Sequence, residues 1–249
     1  LMALWPASEA VIAVINRLVS ESVPPRGLPR LALTAGIPPE HRVLVVVPTM
    51  LTSVAGVRAL AAHLERHYLS NVEPHAQFAL LGDYADAATE HSDRDVALLD
   101  EAVHAIQELE ARYLGDAPMP AWPGTAAPRR FLLLQRARQW SESEQRWIGW
   151  ERKRGKLEQL VALLSGHGQG AFIDLGPLSR PAVGTPYVVT LDSDTVMPPG
   201  TLRALVGVAA HPLNQPQFDA SGRAVLSGYG MTPEQVEAAL AEQRVSGCR

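Results

Sequence analysis

The sequence predicts an α/β fold: a mostly parallel sheet with helices on both faces, preceded by an amphipathic N-terminal helix. Three observations carry that expectation. Short apolar runs occur at Val43–Val47, Phe78–Leu81, Phe131–Leu134 and Tyr187–Leu191, the pattern of strands buried on both faces. Between them lie segments whose apolar residues recur at helical spacing. The first two runs enclose one such segment within about forty residues, a strand–helix–strand unit whose crossover should be right-handed.

A chain of 249 residues, 47% hydrophobic and 19% charged, is long enough for one large domain or two small ones with a substantial core. Its net charge of −4 gives no reason to expect nucleic acid as a partner. Cys248 is the single cysteine, so no intramolecular disulfide forms, and the histidines are scattered without zinc-site spacing. No apolar run reaches the length needed to cross a bilayer, and the start lacks the charged first region of a signal peptide. The chain opens mid-pattern without methionine, as expected of a piece of something longer.

In chain order, residues 1–40 read as a helix and a proline-rich connector, 41–230 as the folded domain and 231–249 as a tail. The first helix opens at Ser8, with Val11, Ile12, Ile15, Leu18 and Val19 as an apolar stripe and Trp5 beside it. The stripe suits docking on the core or lying along a membrane surface, and core docking is the expected arrangement. Ser22–Glu40, with five prolines, reads as an extended connector that does not pack. The first strand ends at Pro48. Ser53 then caps a helix bearing Val54, Val57, Leu60, Leu64 and Tyr68 on one face. The second strand closes on Gly82-Asp83. Ser92 with Asp95 opens a long helix whose face is Val96, Leu99, Val103, Ile106 and Leu109, with Gly115 after its end. Arg136–Lys156 holds three of the five tryptophans. A helix follows from about Gly155 to Leu164, with Leu157, Leu160, Val161 and Leu164 inward. Another spans Thr201–Ala210 with Leu202, Leu205 and Val206 buried. A hairpin at Phe218–Ser227, turning at Ser221-Gly222, and a weak helix from Thr232 complete the pattern.

The chemistry centres on Tyr187–Gly200. A buried central strand runs into Asp192-Ser193-Asp194, and Pro198-Pro199-Gly200 stops its continuation. Two carboxylates at a buried strand end repel each other and lose solvation, which a divalent cation bridging them to a diphosphate relieves. An Asx-type turn that merely ends the strand is the alternative. In a parallel sheet the carboxyl ends share one edge, so Thr49, Asp83, Asp192 and Asp194 converge where open α/β sheets bind ligands. Asp83 alone also reads as a turn former. Glu151–Lys156 is a basic run at a helix start, where Lys153 or Lys156 suits a departing diphosphate. Its other reading is a solvated basic face. Trp140, Trp147 and Trp150 suit a sugar-stacking surface or the core, with at least one expected in the core. There is no Ser/His/Asp or Cys/His spacing, no GxxxxGK and no GxGxxG.

Four segments in order, FALLGDYADAATE, WIGWERKRGKLEQL, VTLDSDT and AHPLNQPQFD…GYG, resemble the glycosyltransferase domain of bacterial cyclic β-1,2-glucan synthases. These are relatives of the processive glycosyltransferases that include cellulose synthase, and the likeness runs from Pro6 to about Gly230. The resemblance implies a GT-A-like fold, UDP-glucose as donor, and Mg²⁺ or Mn²⁺ held by Asp192 and Asp194. It implies that Asp83 faces the uridine, that Lys153 faces the diphosphate, and that transfer to a β-1,2-glucan acceptor is inverting. It further implies a domain on the cytoplasmic side of a bacterial inner membrane, partnered by the remainder of a larger membrane enzyme. The family's general base and acceptor-site tryptophan motif have no counterpart in 231–249, so the chain is expected to be the donor-binding part. Two rivals remain: a non-catalytic glycosyltransferase-fold interaction module, and a nucleotidyltransferase-like enzyme using the same sheet edge.

Overall fold

A computed structural model of the chain describes residues 4–22, 27–114, 129–167, 170–182, 184–219 and 225–228. The expected Gly115 helix stop, the Ser221-Gly222 turn, the helix from Thr232 and the 231–249 tail lie outside them. The sheet has four parallel strands: β1 (Val43–Leu51), β2 (Ala76–Tyr84), β3 (Phe131–Gln135) and β6 (Tyr187–Thr190), in the order β3-β2-β1-β6. Between β3 and β6 come a two-stranded antiparallel ribbon, β4 (Gln139–Ser141) and β5 (Arg146–Ile148), and helix α4 (Arg152–Leu164). The remaining helices are α1 (Leu4–Ser22), α2 (Val54–Ser70), α3 (Asp93–Tyr113) and α5 (Thr201–Ala209), and β7 (Gln217–Phe218) pairs antiparallel with β8 (Val225–Ser227).

The continuous apolar runs work because each strand alternates faces with both faces covered. Val43, Val45 and Val47 of β1 join Phe78 and Leu80 of β2 in one core with Leu64 and Tyr68 of α2, Ile106 of α3 and Leu202 of α5. Leu44, Val46, Leu81 and Leu134 point the other way, onto Leu160 and Leu164 of α4. The expected α/β architecture, with helices on both faces, is the one observed. Helix starts also follow the sequence: Ser53 accepts from Gly56 N, and Ser92 with Asp95 forms a complete capping box.

Several expectations are corrected by neighbours the sequence does not reveal. Pro48 does not end β1, which pairs with β2 through Leu51. The Val46 carbonyl accepts from Leu191 N, so by alternation the missing N–H of Pro48 lies on the β6 side. Proline there ends the β1–β6 ladder and leaves β1–β2 intact. Gly82 does not end β2 either; the Gln135 side chain of β3 occupies the space its side chain would fill. Asp83 is thus a strand residue, not a turn former. β6 is an edge strand of the described sheet, half-buried rather than central and enclosed.

The helical faces shift as well. α3 meets its neighbours through Leu98, Ala102, Ala105, Ile106 and Leu109, while Val96 is 65% exposed. Leu205 of α5 is likewise exposed. The connector is not wholly loose: Ile37 is in the core, and its N–H donates to the buried Glu73 carboxylate at 2.8 Å. None of Trp140, Trp147 and Trp150 is in the core; the first two pack edge to face on the ribbon. α1 is not docked on the core, since its stripe Val11, Ile12, Ile15, Leu18 and Val19 is 52–59% exposed. No helix of the described residues is long and apolar enough to cross a membrane.

Leu80 sits fully enclosed in the larger core. Leu80→Ala is expected to lower the unfolding free energy by about 2–5 kcal/mol, read from urea denaturation followed by circular dichroism.

Candidate functional site

A cleft of about 650 Å³ opens at the carboxyl edge of the sheet. One wall is the end of β1, Pro48 to Met50, with the α2 face carrying Gly56, His63 and Arg66. The opposite wall is the start of α4, with Arg152, Lys153 and Lys156; Asp83 and Ser193 complete the lining. Four cationic side chains against one carboxylate make the cleft suited to an anion. Arg66 has no carboxylate partner among the described residues, whereas Arg152 pairs with Asp86 at 2.8 Å.

Beneath the cleft lies a buried charge cluster. Asp83, 3% exposed, accepts from Arg136 Nε at 2.6 Å on Oδ1 and from Arg136 Nη2 at 2.9 Å on Oδ2. The Lys156 ammonium stands 3.2 Å from Oδ2 and also donates to the carbonyls of Thr49 at 2.5 Å and Leu81 at 3.3 Å. Three acceptors thus meet its three N–H bonds. Burial pulls the Lys156 pKa below the ordinary lysine value, and Asp83 opposes that shift. A carboxylate offers about four acceptor positions, and these contacts occupy three. The one left is on Oδ1 of a residue that lines the cleft.

Glu151 begins α4 with a left-handed backbone, φ 51°, and no side-chain cap. No side chain caps the helix start; the Arg152 N–H donates to the Gly149 carbonyl at 3.1 Å, and exposed Lys153 follows it. Lys153 Nζ pairs with Asp192 Oδ1. The basic run alone left Lys153 and Lys156 open and the resemblance pointed to Lys153; the two differ in their surroundings. Lys156 is spent on the sheet edge; Lys153 is exposed and lines the cleft.

Asp192-Ser193-Asp194 forms a turn closed by Thr195 N donating to the Asp192 carbonyl at 3.0 Å. Ser193 lines the cleft, Asp192 reaches it through Lys153, and Asp194 is exposed and outside the lining. Both carboxylates are exposed, so the desolvation argued from a buried strand end does not apply. The donor set still fits a hard divalent cation. Two oxygen-donor carboxylates stand one residue apart, and Mg²⁺ commonly uses one or two carboxylates and completes its shell with water and phosphate. Among the described residues no cluster of three or more His, Cys, Asp or Glu forms an all-protein metal cage.

Thr49, Asp83 and Lys153 therefore line one cleft, with the acidic turn at its rim. The sequence reading missed what holds them. Arg136 follows directly after β3, at the same sheet edge as the chosen residues, and that position was the available signal. Two residues fasten the acidic turn to α2. His63 donates from Nε2 to the Thr195 carbonyl at 3.1 Å. Buried Asn71 donates to the carbonyls of Met197 and Pro198 at 3.3 and 3.2 Å, and accepts from Leu202 N at 3.0 Å, capping α5.

The fold and site together define an open, parallel-sheet α/β domain with a cleft lined by cationic side chains at the carboxyl ends of its strands. No family model matches the chain. It is 37% identical over 235 residues to the cyclic β-(1,2)-glucan synthase NdvB of Rhizobium meliloti (strain 1021). The alignment takes in 94% of this chain and 8% of that protein. The likeness read from the four segments is thereby borne out, as a similarity to one segment of a much longer synthase.

The His67 ring lies 4.4 Å from that of His63, tilted by 49°, with its Nε2 buried and unpartnered. Burial chiefly, then His63 and Arg66, lower its pKa to about 4. A depressed histidine pKa means that the unfolded chain takes the proton first. Its contribution is therefore present above about pH 6.5 and lost as pH falls toward 4. His75, also lowered by burial, adds the same sign. The urea midpoint is expected to fall between pH 7 and pH 5, and His67→Leu should flatten that slope.

Proposed function

We propose that this chain is the donor-binding part of a glycosyltransferase, taking UDP-glucose in the cleft with Mg²⁺ or Mn²⁺ and serving transfer of glucose to a growing β-1,2-glucan. The observation that carries the reading is that one cationic cleft gathers Thr49, Asp83 and Lys153 beside the acidic turn. The name of the similar synthase supports the glucan product.

Asp83 takes the nucleobase: a carboxylate with one free lone pair accepts the N3–H of uracil, whereas cytosine presents an acceptor at N3, which the carboxylate repels, and places its donor on the N4 amino group. Thr49, at the end of β1, faces the nucleoside. Lys153 leaves Asp192 and meets the diphosphate, where a cation offsets the charge that grows on the leaving group. Asp192 and Asp194 would hold the divalent ion, which when bound supplies further charge neutralisation at the same oxygens. In the transfer, the bond from glucose C1 to the diphosphate oxygen breaks and a bond from C1 to the acceptor hydroxyl oxygen forms. Attack from the opposite face converts the α-linked donor into a β-linked product. The acceptor's proton passes to a general base, and no described residue is assigned that role. The reading carries with it a larger membrane enzyme as partner and a cytoplasmic-side location at a bacterial inner membrane. The undocked apolar stripe of α1 is consistent with such surroundings.

Calorimetric titration of UDP and UDP-glucose is expected to give binding that needs Mn²⁺ or Mg²⁺ and disappears with chelator. Asp192→Ala and Asp194→Ala should each weaken it about tenfold or more. Absence of binding under any metal would favour the non-catalytic module instead. Lys153→Met should act with opposite signs on two ligands. UDP affinity falls, while nucleotide-free Mn²⁺ affinity, read by electron paramagnetic resonance, rises about two- to fivefold because an exposed ion pair no longer competes.

A further inference from the structure

The geometry points to Arg136 as the positioning residue that couples recognition of the base to recognition of the diphosphate, an inference that rests on the uridine-nucleotide reading above. Arg136 is 2% exposed and does not line the cleft. It stands behind the residues that do, and all five of its N–H bonds are in use. Two grip Asp83, from Nε at 2.6 Å and Nη2 at 2.9 Å. The other three hold the approach to α4: Nη1 to the Trp150 carbonyl at 3.0 Å and to Gln159 Oε1 at 2.9 Å, and Nη2 to the Arg152 carbonyl at 3.2 Å.

Those carbonyls bracket a strained junction. Glu151 and Arg152 both have left-handed backbones, at φ 51° and 44°, a conformation that is unfavourable for a non-glycine residue. Such strain persists where the surroundings over-determine it. Here the two carbonyl bonds to Arg136 fix the turn that delivers Lys153, the very next residue, to the cleft. Gly149 adds a second brace on the other partner. A Cβ there would stand 2.7 Å from Asp83 Cγ, so the ribbon's exit is pressed onto the carboxylate.

One planar guanidinium therefore fixes the orientation of the base-reading carboxylate and the position of the phosphate-reading ammonium. A lysine cannot replace it, because a point charge has neither the bidentate fork nor the reach to five acceptors. Each half of the nucleotide is read by its own residue, but both readers are set by the same group.

The test measures UDP, CDP and UMP affinities of the full chain by calorimetry with Mn²⁺. The UDP-to-CDP ratio reports the base, and the UDP-to-UMP ratio reports the terminal phosphate. Asp83→Asn should lower the first ratio alone and Lys153→Met the second alone. Arg136→Lys should lower both, each by about tenfold. A merely structural role would weaken all three ligands alike and leave both ratios unchanged. If Arg136→Lys does not fold, the pair Asp83→Asn with Arg136→Gln decides. It keeps the wild-type cluster charge of one positive, since one cation and one anion are removed from Arg136, Lys156 and Asp83. Relative to Asp83→Asn alone it should lower the UDP-to-UMP ratio. A wild type with no metal-dependent UDP binding overturns the nucleotide reading itself. A wild type with both preferences, beside a folded Arg136 variant that keeps either one, overturns the coupling alone.

Discussion

The ion pair between Asp83 and Arg136 is the contact on which the cleft depends. It joins the end of β2 to the residue that follows β3, at the carboxyl edge of the sheet, one step past the last β2–β3 pair, Gly82 with Gln135. Removing Asp83 leaves Arg136 and Lys156 buried without a counter-charge, at a cost of about 3–5 kcal/mol. The cluster is stable only because every donor is met. Arg136 has five acceptors, Lys156 has three, and several of them are backbone carbonyls at strand ends and helix starts. The polar network does the work at this edge that apolar packing does in the middle of the sheet.

A second network holds the opposite side. The acidic turn follows an edge strand only four residues long, with little ladder of its own. Its loop is tied instead to α2, through His63 and Asn71. Asn71 uses both ends of its amide, donating to two loop carbonyls and capping the helix that follows. Loop and helix start are thereby set by one side chain. Two unrelated devices, a guanidinium hub and an amide clamp, thus fix the two rims across which a ligand would lie.

Much of this fold is legible in the sequence, and the rest fails for identifiable reasons. Apolar runs locate all four parallel strands because both faces of each core strand are covered, and the caps at Ser53 and Ser92 are local chemistry. Strand ends are not local. Pro48 and Gly82 look like stops, and both are overridden by a neighbouring strand. The α3 face differs from the expected one because its contact is made partly by Ala102 and Ala105, which carry little hydrophobic signal beside Val96. At the site, Thr49 and Asp83 follow from strand ends, while the basic helix start offers Lys153 and Lys156 alike and only the resemblance selects Lys153. Arg136 does not follow, because an arginine in a charged segment reads as solvated until the carboxylate opposite it is known. The ribbon tryptophans fail in the reverse sense: aromatic residues suggest a core, yet β4 and β5 carry them outward.

The strand order has a consequence for how replaceable this site is. From β1 the chain winds outward through β2 to β3, with α2 and α3 on one face, then crosses by way of α4 on the other face to lay β6 on the free side of β1. The direction of winding therefore reverses between β1 and β6, and at the carboxyl end, past the last pair of Val46 with Thr190, Pro48 releases the two strands from each other. A crevice at such a reversal is a product of the winding and not of the side chains that furnish it. Replacing Thr49, Lys153 or the two aspartates would empty the crevice of its present chemistry while leaving its walls standing. A lineage carrying this fold can exchange one anionic ligand for another without rebuilding the sheet.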